Sequence, residues 1–320
     1  MTTTPLKAEN IVDLGIELLK QEVVTPSVFW TVGESEFTKA KNDTVTIKIP
    51  AYTSASKRVM RSGTAITAKN FEERKVDVKI DTHLFHRTDM TSEELTLDIT
   101  DFGEQILKPQ VEAVTRGLDD ECVDTITGAT YTNNVNWNYS NPLQSVLRAR
   151  GWLNRAHVPK SGRTLLVGPG IEENLLESEI LLDASMNGGS SAALREATIG
   201  RVRGFNVVVN ENLPDDVAVA LHDTAFALVT RAPKIPAGAP MGATTSDSGY
   251  ALRWLQVFED EMVSDQSLVD LFCGTAVVTD RGHWDGAKNR FVPAEDVDAV
   301  GESDMFVRAV MLGTGVEESA

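Results

Sequence analysis

An α+β fold is predicted by three features of the sequence. Two stretches, 43–50 and 75–85, alternate apolar and polar residues with the period of a half-buried strand. Residues 98–127 carry an apolar residue every three to four positions, the period of a helix. From 163 to 221 a strand, a helix and two further strand-like runs follow one another, a compact α/β unit. The chain has 320 residues, 42% hydrophobic and 24% charged, which suits a folded protein of one large or two ordinary domains.

Residues 9–20 place Ile11, Leu14, Leu18 and Leu19 on one helical face. So short a helix needs a partner surface, inside the chain or outside it. In 43–50, Val45, Ile47 and Ile49 point one way; in 75–85, Val76, Val78 and Ile80 face one side and Lys75, Asp77, Lys79 and Asp81 the other. The twenty residues between, 51–70, are small, polar and basic, too long for an ordinary hairpin turn. The segment 34–87 thus reads as a long two-stranded arm with a basic tip. A lone ribbon is marginal in water, so it must rest on something.

The stripe Ile99, Phe102, Ile106, Val114, Leu118, Cys122 and Ile126 predicts a long helix, opened by a capping-box-like Asp101 and Glu104. Pro109 lies inside it and is expected to kink it, because proline lacks the N–H that the helix ladder needs. The Asn-rich segment 128–142 is expected as its exit loop. A second helix is predicted over 143–158, a strand over 163–167, a turn at 168–170, a helix over 171–183 and a Gly/Ser loop at 187–191. Strands are expected at 205–210 and 217–221. The Pro/Gly-rich segment 232–249 is expected to hold no regular element. Strands resume at 250–257, 268–279 and 305–312.

Charge narrows the function. Lys and Arg number 30 against 47 Asp and Glu, a net charge of −17. Such a chain offers no broad electrostatic footprint for nucleic acid or an anionic membrane. The longest uncharged stretch, Thr125–Leu147, holds five asparagines and cannot span a bilayer. Residues 34–87 oppose the overall sign: seven Lys, four Arg and seven acids give +4, so the rest carries −21. This segment is either a solvated face or a basic arm lying on an acidic partner, such as another copy of the chain. Cys122 and Cys273 form no disulfide framework and are expected as buried, reduced thiols. The first twenty residues lack an apolar core, so no signal peptide is expected.

Candidate chemistry is thin. The run LLVGPGIEENLL is strand, Gly-rich turn, helix, a phosphate-binding context. It has neither GxxxxGK[ST] nor GxGxxG, and Glu172 and Glu173 would meet a phosphate with like charge, so a structural turn is expected. His83 and His86 are three apart, hence on opposite faces of a regular strand. His157, His222 and His283 are scattered. The clusters Asp119–Asp120–Glu121 and Glu259–Asp260–Glu261 read as solvated faces or subunit contacts. No catalytic, cofactor or metal site is expected.

Four phrases carry a resemblance: IPAYTSASKRVMRSG, LTLDITDFGEQILKPQVEAVTRGLDDE, PKSGRTLLVGPGIEENLLES and SAALREATIGRVRGFNVVVNENLP. In this order they resemble the major capsid (coat) protein of tailed double-stranded DNA bacteriophages, with the Hong Kong 97-type capsid fold. The likeness is in particular to coat proteins of short-tailed Salmonella phages and their actinobacteriophage relatives. The resemblance implies an N-terminal arm (1–33), an extended β-hairpin loop (34–87), a peripheral domain with a spine helix (88–142), an axial domain (143–270) and C-terminal strands returning to the peripheral domain (271–320). Pro109 then kinks the spine helix, and Lys57, Arg58, Arg61 and Lys69 are expected assembly contacts between subunits.

The implied function is structural and non-enzymatic: hexamers and pentamers of an icosahedral shell around the phage genome. The implied partners are other copies of the chain, a scaffolding protein and portal, a decoration protein, and DNA packaged without sequence-specific binding. No membrane partner and no cofactor are implied. The location implied is the virion capsid, after assembly in the host bacterial cytoplasm. Two departures from relatives stand out. There is little room at 232–249 for the insertion domain some of them carry. No motif assigns Lys57, Lys69 or Asn289 to the Lys–Asn cross-link that others form. The competing functions are an encapsulin-like compartment shell and a soluble α/β enzyme with a discontinuous site.

Overall fold

A computed structural model of the chain describes residues 7–31, 44–49, 58–61, 65, 74–90, 103–177, 200–259, 264–285, 289–293 and 305–314. Its helices are α1 (Ala8–Glu22), α2 (Lys108–Gly128), α3 (Pro142–Arg155) and α4 (Pro169–Leu176). The strands of the N-terminal half are β1 (Trp30–Thr31), β2 (Thr44–Ile49), β3 (Arg74–Lys79), β4 (Thr82–Met90), β5 (Asn134–Asn136) and β6 (Arg163–Val167). There follow β7 (Arg201–Val202), β8 (Phe205–Val209), β9 (Val217–His222), β10 (Phe226–Arg231), β11 (Met241–Asp247) and β12 (Tyr250–Glu259). The last are β13 (Ser264–Val277), β14 (Thr279–Asp285), β15 (Arg290–Pro293), β16 (Met305–Val307) and β17 (Ala309–Gly313).

The first sheet is organised by β13. On one edge its first half pairs β12 and its second half pairs β10; on the other edge it pairs β4. β11 extends the sheet beyond β12, and β1 beyond β10. Helices α1 and α2 cover one face, where Leu252, Trp254, Val269 and Leu271 are buried with Ile16, Leu107, Val111 and Leu118. At about 1.5–3 kcal/mol per fully buried large apolar side chain, this is the main contribution to holding α1 in place. The buried face of α1 is Ile11, Val12, Gly15, Ile16 and Leu19, with Leu14 and Leu18 half-buried beside it. The sequence places the face slightly off, and the partner surface is the chain itself.

The second sheet has the order β5-β17-β9-β6-β8-β7, with β6 parallel to β8 and antiparallel to β9. Leu166, Val219 and Leu221 turn one face towards the α2 core. Leu165, Val167, Ala218 and Ala220 turn the other towards α3 and α4. The small third sheet is β15-β14-β16.

Several expectations change. β10 to β13 share a sheet with β4 and pack against α1 and α2, so the unit expected over 143–270 divides after β9. The C-terminal strands divide too: β13 serves the first sheet and β17 the second. β11 forms inside 232–249, because full pairing with β12 supplies its backbone partners and one polar face meets water. Only residues 232–240 separate β10 from β11, which leaves no inserted domain there. β5 lies inside the expected exit loop. The 305–312 strand breaks at Arg308 into β16 and β17.

The long helix also differs. A π-helical turn, Gly103–Leu107, runs directly into α2, and Pro109 stands in the first α-helical turn. There it lacks the N–H that the ladder of the preceding turn would use. The helix thus changes type just before Pro109. Ile106, Val114, Leu118, Cys122 and Ile126 are buried as expected; Ile99, Asp101 and Phe102 lie outside the described residues. Helix α4 begins at Pro169, inside the expected turn, and the expected helix end and the Gly/Ser loop lie outside the described residues.

Candidate assembly interface

The ribbon is anchored at one end and exposed at the other. Val45 stands opposite Val78 and Ile47 opposite Val76, so the apolar faces that the alternation predicts lie on one side of the ribbon. Val45, Ile47 and Val78 are buried on Ala227 and Val229 of β10 and on Val278. The base of the arm therefore rests on its own subunit. The arm's second leg ends at Lys79, and residues 82–87, expected in the hairpin, belong to β4 of the first sheet. At the crossing, a Cβ on Gly274 would lie 2.1 Å from the Lys79 carbonyl oxygen, so only glycine admits this approach.

At the tip Arg58 and Arg61 are both exposed and bracket two apolar residues. Val59 is 77% and Met60 87% exposed. The tip chain turns at Arg61, which has φ 64°. Lys57 and Lys69 lie outside the described residues. Charge singles out the arginines in the sequence but not the apolar pair between them, which stands there as RVMR. A cation–apolar–apolar–cation tip suits a surface with an acidic rim and an apolar floor.

The outer face of the first sheet carries a buried ion pair. Arg253 donates through Nε to Asp270 at 2.8 Å and through its terminal nitrogens to Asp270 and to the Lys234 carbonyl. His83 Nε2 lies 2.9 Å from Asp270 Oδ2, the oxygen that also accepts from an Arg253 terminal nitrogen. Phe85, one row along β4, is exposed. A cleft of about 440 Å³ lies beside the ribbon base, lined among others by Ile80, Thr82, His83, Arg231 and Phe272.

Helix α2 is tied in by buried polar groups that a hydrophobic stripe does not reveal. Asp119 accepts the Thr25 backbone N–H at 2.8 Å and the Asn210 and Asn212 amides at 2.5 and 3.2 Å. It is buried, so the reading of Asp119–Asp120–Glu121 as a solvated or contact run fails at its first member; Asp120 is exposed and Glu121 half-buried. Gln110 donates to the Ser267 carbonyl at 2.9 Å and accepts from its hydroxyl at 2.7 Å. Cys122 and Cys273 are free, buried thiols. Burial pushes Cys122 well up and Cys273 up to about 12, so both stay protonated and unreactive.

The phosphate-like turn is closed by the chain. Gly168 donates its N–H to the Val217 carbonyl at 3.0 Å and Ile171 to that of Asp215 at 3.1 Å. A Cβ on Gly168 would lie 2.2 Å from the Pro214 oxygen. The glycine thus admits a backbone crossing and leaves no phosphate cradle. His83 and His86 lie on opposite faces of β4, as expected: His83 meets Asp270, and His86 faces inward with Nδ1 unpaired. His157 is exposed, with φ 58°. Among the described residues no group of three His, Cys, Asp or Glu side chains could hold a metal ion, and no helix is long and apolar enough to cross a membrane.

Residues 87–258, more than half of the chain, match the model of the family described as phage capsid protein. No curated protein matches the chain. Among solved structures it is similar to one of Mycobacterium phage Che8, at 18% identity and TM-score 0.54, covering 91% of this chain and 90% of that one. It is similar to the capsid of cyanophage P-SCSP1u, at 12% identity and TM-score 0.54, over 90% and 86% of the two chains. It is also similar to the mature capsid of bacteriophage PhiM1, at 14% identity and TM-score 0.52, over 86% and 82%. At these identities the likeness establishes a shared mixed α/β fold.

Proposed function

The chain belongs to the phage capsid protein family, and from that premise we propose that its copies form hexamers and pentamers of an icosahedral shell around phage double-stranded DNA. It is a structural protein, a major capsid protein of the virion. In this reading the fold is of the Hong Kong 97 type, with β2 and β3 as the extended loop. The layer of α1, α2 and the first sheet is peripheral, with α2 as spine, and the second sheet with α3 and α4 is axial. The kinship to coat proteins of short-tailed Salmonella phages and their actinobacteriophage relatives belongs to this reading, as does assembly in the host cytoplasm with a scaffold and a portal.

The observation that carries the reading is the ribbon. Its base is buried in its own subunit, while its tip holds Val59 and Met60 in water between two arginines. Exposed apolar side chains between charges are stabilised when a neighbour covers them. On a chain of net charge −17, that neighbour is another copy. Lys57, Arg58, Arg61 and Lys69 then act between subunits. A net acidic shell does not bind its packaged DNA tightly, so the genome can enter and leave.

The test is the double variant Arg58→Glu/Arg61→Glu. Circular dichroism should match wild type while particle yield falls. Like charges facing across an interface cost several kcal/mol, roughly, whereas exposed rim pairs cost about 0–1. Rim contacts are also screened beyond about 8–10 Å at physiological salt. Normal folding with normal shells would show that the tip is a solvated face.

A further inference from the structure

Helices α3 and α4 cover the same face of the second sheet, and their charges are opposite. Helix α3 carries Arg148, Arg150 and Arg155 and no acid; α4 carries Glu172 and Glu173, with Glu177 just beyond it, and no base. From Thr125 to Ile171 the sequence has no acidic residue at all, in a chain with 47 of them. Within the subunit Arg150 is committed to the Arg203 carbonyl at 2.8 Å, and Arg155 lies 4.8 Å over the Trp152 ring.

The α3 side is also apolar. Leu147 is 51% exposed, and the Trp152 ring packs, tilted by 47°, at 5.1 Å from that of Trp284 of β14, which is itself 38% exposed. Partly exposed tryptophans framed by arginine have the composition of a protein interface core. On the α4 side lies an open groove of about 510 Å³ lined by Pro169, Leu176, Glu172, Glu173 and Glu177. One side presents apolar residues beside cations, and the other apolar residues beside anions.

We propose that the α3 face, centred on Leu147, Trp152 and Trp284, docks on the α4 groove of a second copy of this chain. The two surfaces differ, so the contact is heterologous, and repeated head to tail it closes a ring. The inference rests on the shell reading above and adds the residues that would join neighbours around a ring. It is independent of the ribbon tip.

The test uses two full-length variants. Arg148→Glu/Arg155→Glu makes both surfaces acidic, and Glu172→Lys/Glu173→Lys makes both basic. Each alone faces like charge with like, and its particle yield should fall by about tenfold or more with circular dichroism unchanged. Mixed one to one, the acidic α3 of the first fits the basic α4 of the second, and the basic α3 of the second fits the acidic α4 of the first. Assembly should return in the mixture, in even-membered alternating rings. The single variants Arg148→Glu and Glu173→Lys, each altering one exposed side chain, should follow the same pattern more weakly and serve if a double variant unfolds. Wild-type assembly by both reversals, or folded variants whose mixture stays defective, would overturn the inference and leave the shell reading standing. Failure of the wild-type chain to assemble would contradict the shell reading and this inference together.

Discussion

The Asp119 carboxylate, on the long helix α2, accepts the backbone N–H of Thr25 at 2.8 Å. The same carboxylate takes the amides of Asn210 and Asn212, in the loop that leaves β8. One side chain thus joins the turn after α1, the long helix and the second sheet. Asp119→Ala leaves the buried Thr25 N–H without its acceptor and takes one acceptor each from the buried Asn210 amide and the exposed Asn212 amide. The subunit should lose about 1.5–3 kcal/mol, read by chemical denaturation of unassembled protein. A loss within error would show that water replaces the carboxylate.

Asp270 is fully buried and holds Arg253 through two hydrogen bonds. Asp270→Ala strands a buried guanidinium and should cost about 3–5 kcal/mol. His83 approaches the same carboxylate from a side chain that is partly exposed, so His83→Ala should cost only about 0–1 kcal/mol. Equal losses for the two variants, measured in the same denaturant titration, would contradict this division.

His222 gives a pH dependence of definite sign. Burial lowers its pKa below the ordinary 6.5; Arg308 and Arg163 lower it further, and Asp223 opposes them. Below 6.5 the unfolded chain therefore binds a proton that the folded chain refuses. Stability should fall as pH drops from 6.5 towards the lowered value, and His222 should contribute no slope above 6.5. Denaturation midpoints between pH of about 7 and about 5 check this. His222→Gln should flatten the slope in that window, and an unchanged slope would assign it to other groups.

How much the sequence reveals follows from which forces act locally. The alternation of Val45, Ile47, Val76 and Val78 sets the register of the ribbon, because one face of each strand is buried. The stripe Val114, Leu118, Cys122, Ile126 sets the inner face of α2 for the same reason. What stays hidden depends on distant partners. β11 reads as a polar loop until β12 supplies its ladder. Asp119 reads as one of three surface acids until Thr25 and Asn210 arrive from 94 and 91 residues away. In the proposed contact surfaces, Arg58 and Arg61 stand out as charge against an acidic background. Trp152 and Trp284, 132 positions apart in sequence, become one patch only in the fold.

The central claim is that this chain builds a closed shell from its own copies. Negative-stain electron microscopy of the purified full-length protein, alone and with its scaffold, tests that claim most directly. The account predicts rings, sheets, tubes or closed shells of regular size. Particles that remain monomers or small discrete oligomers at high concentration, scaffold included, would contradict it.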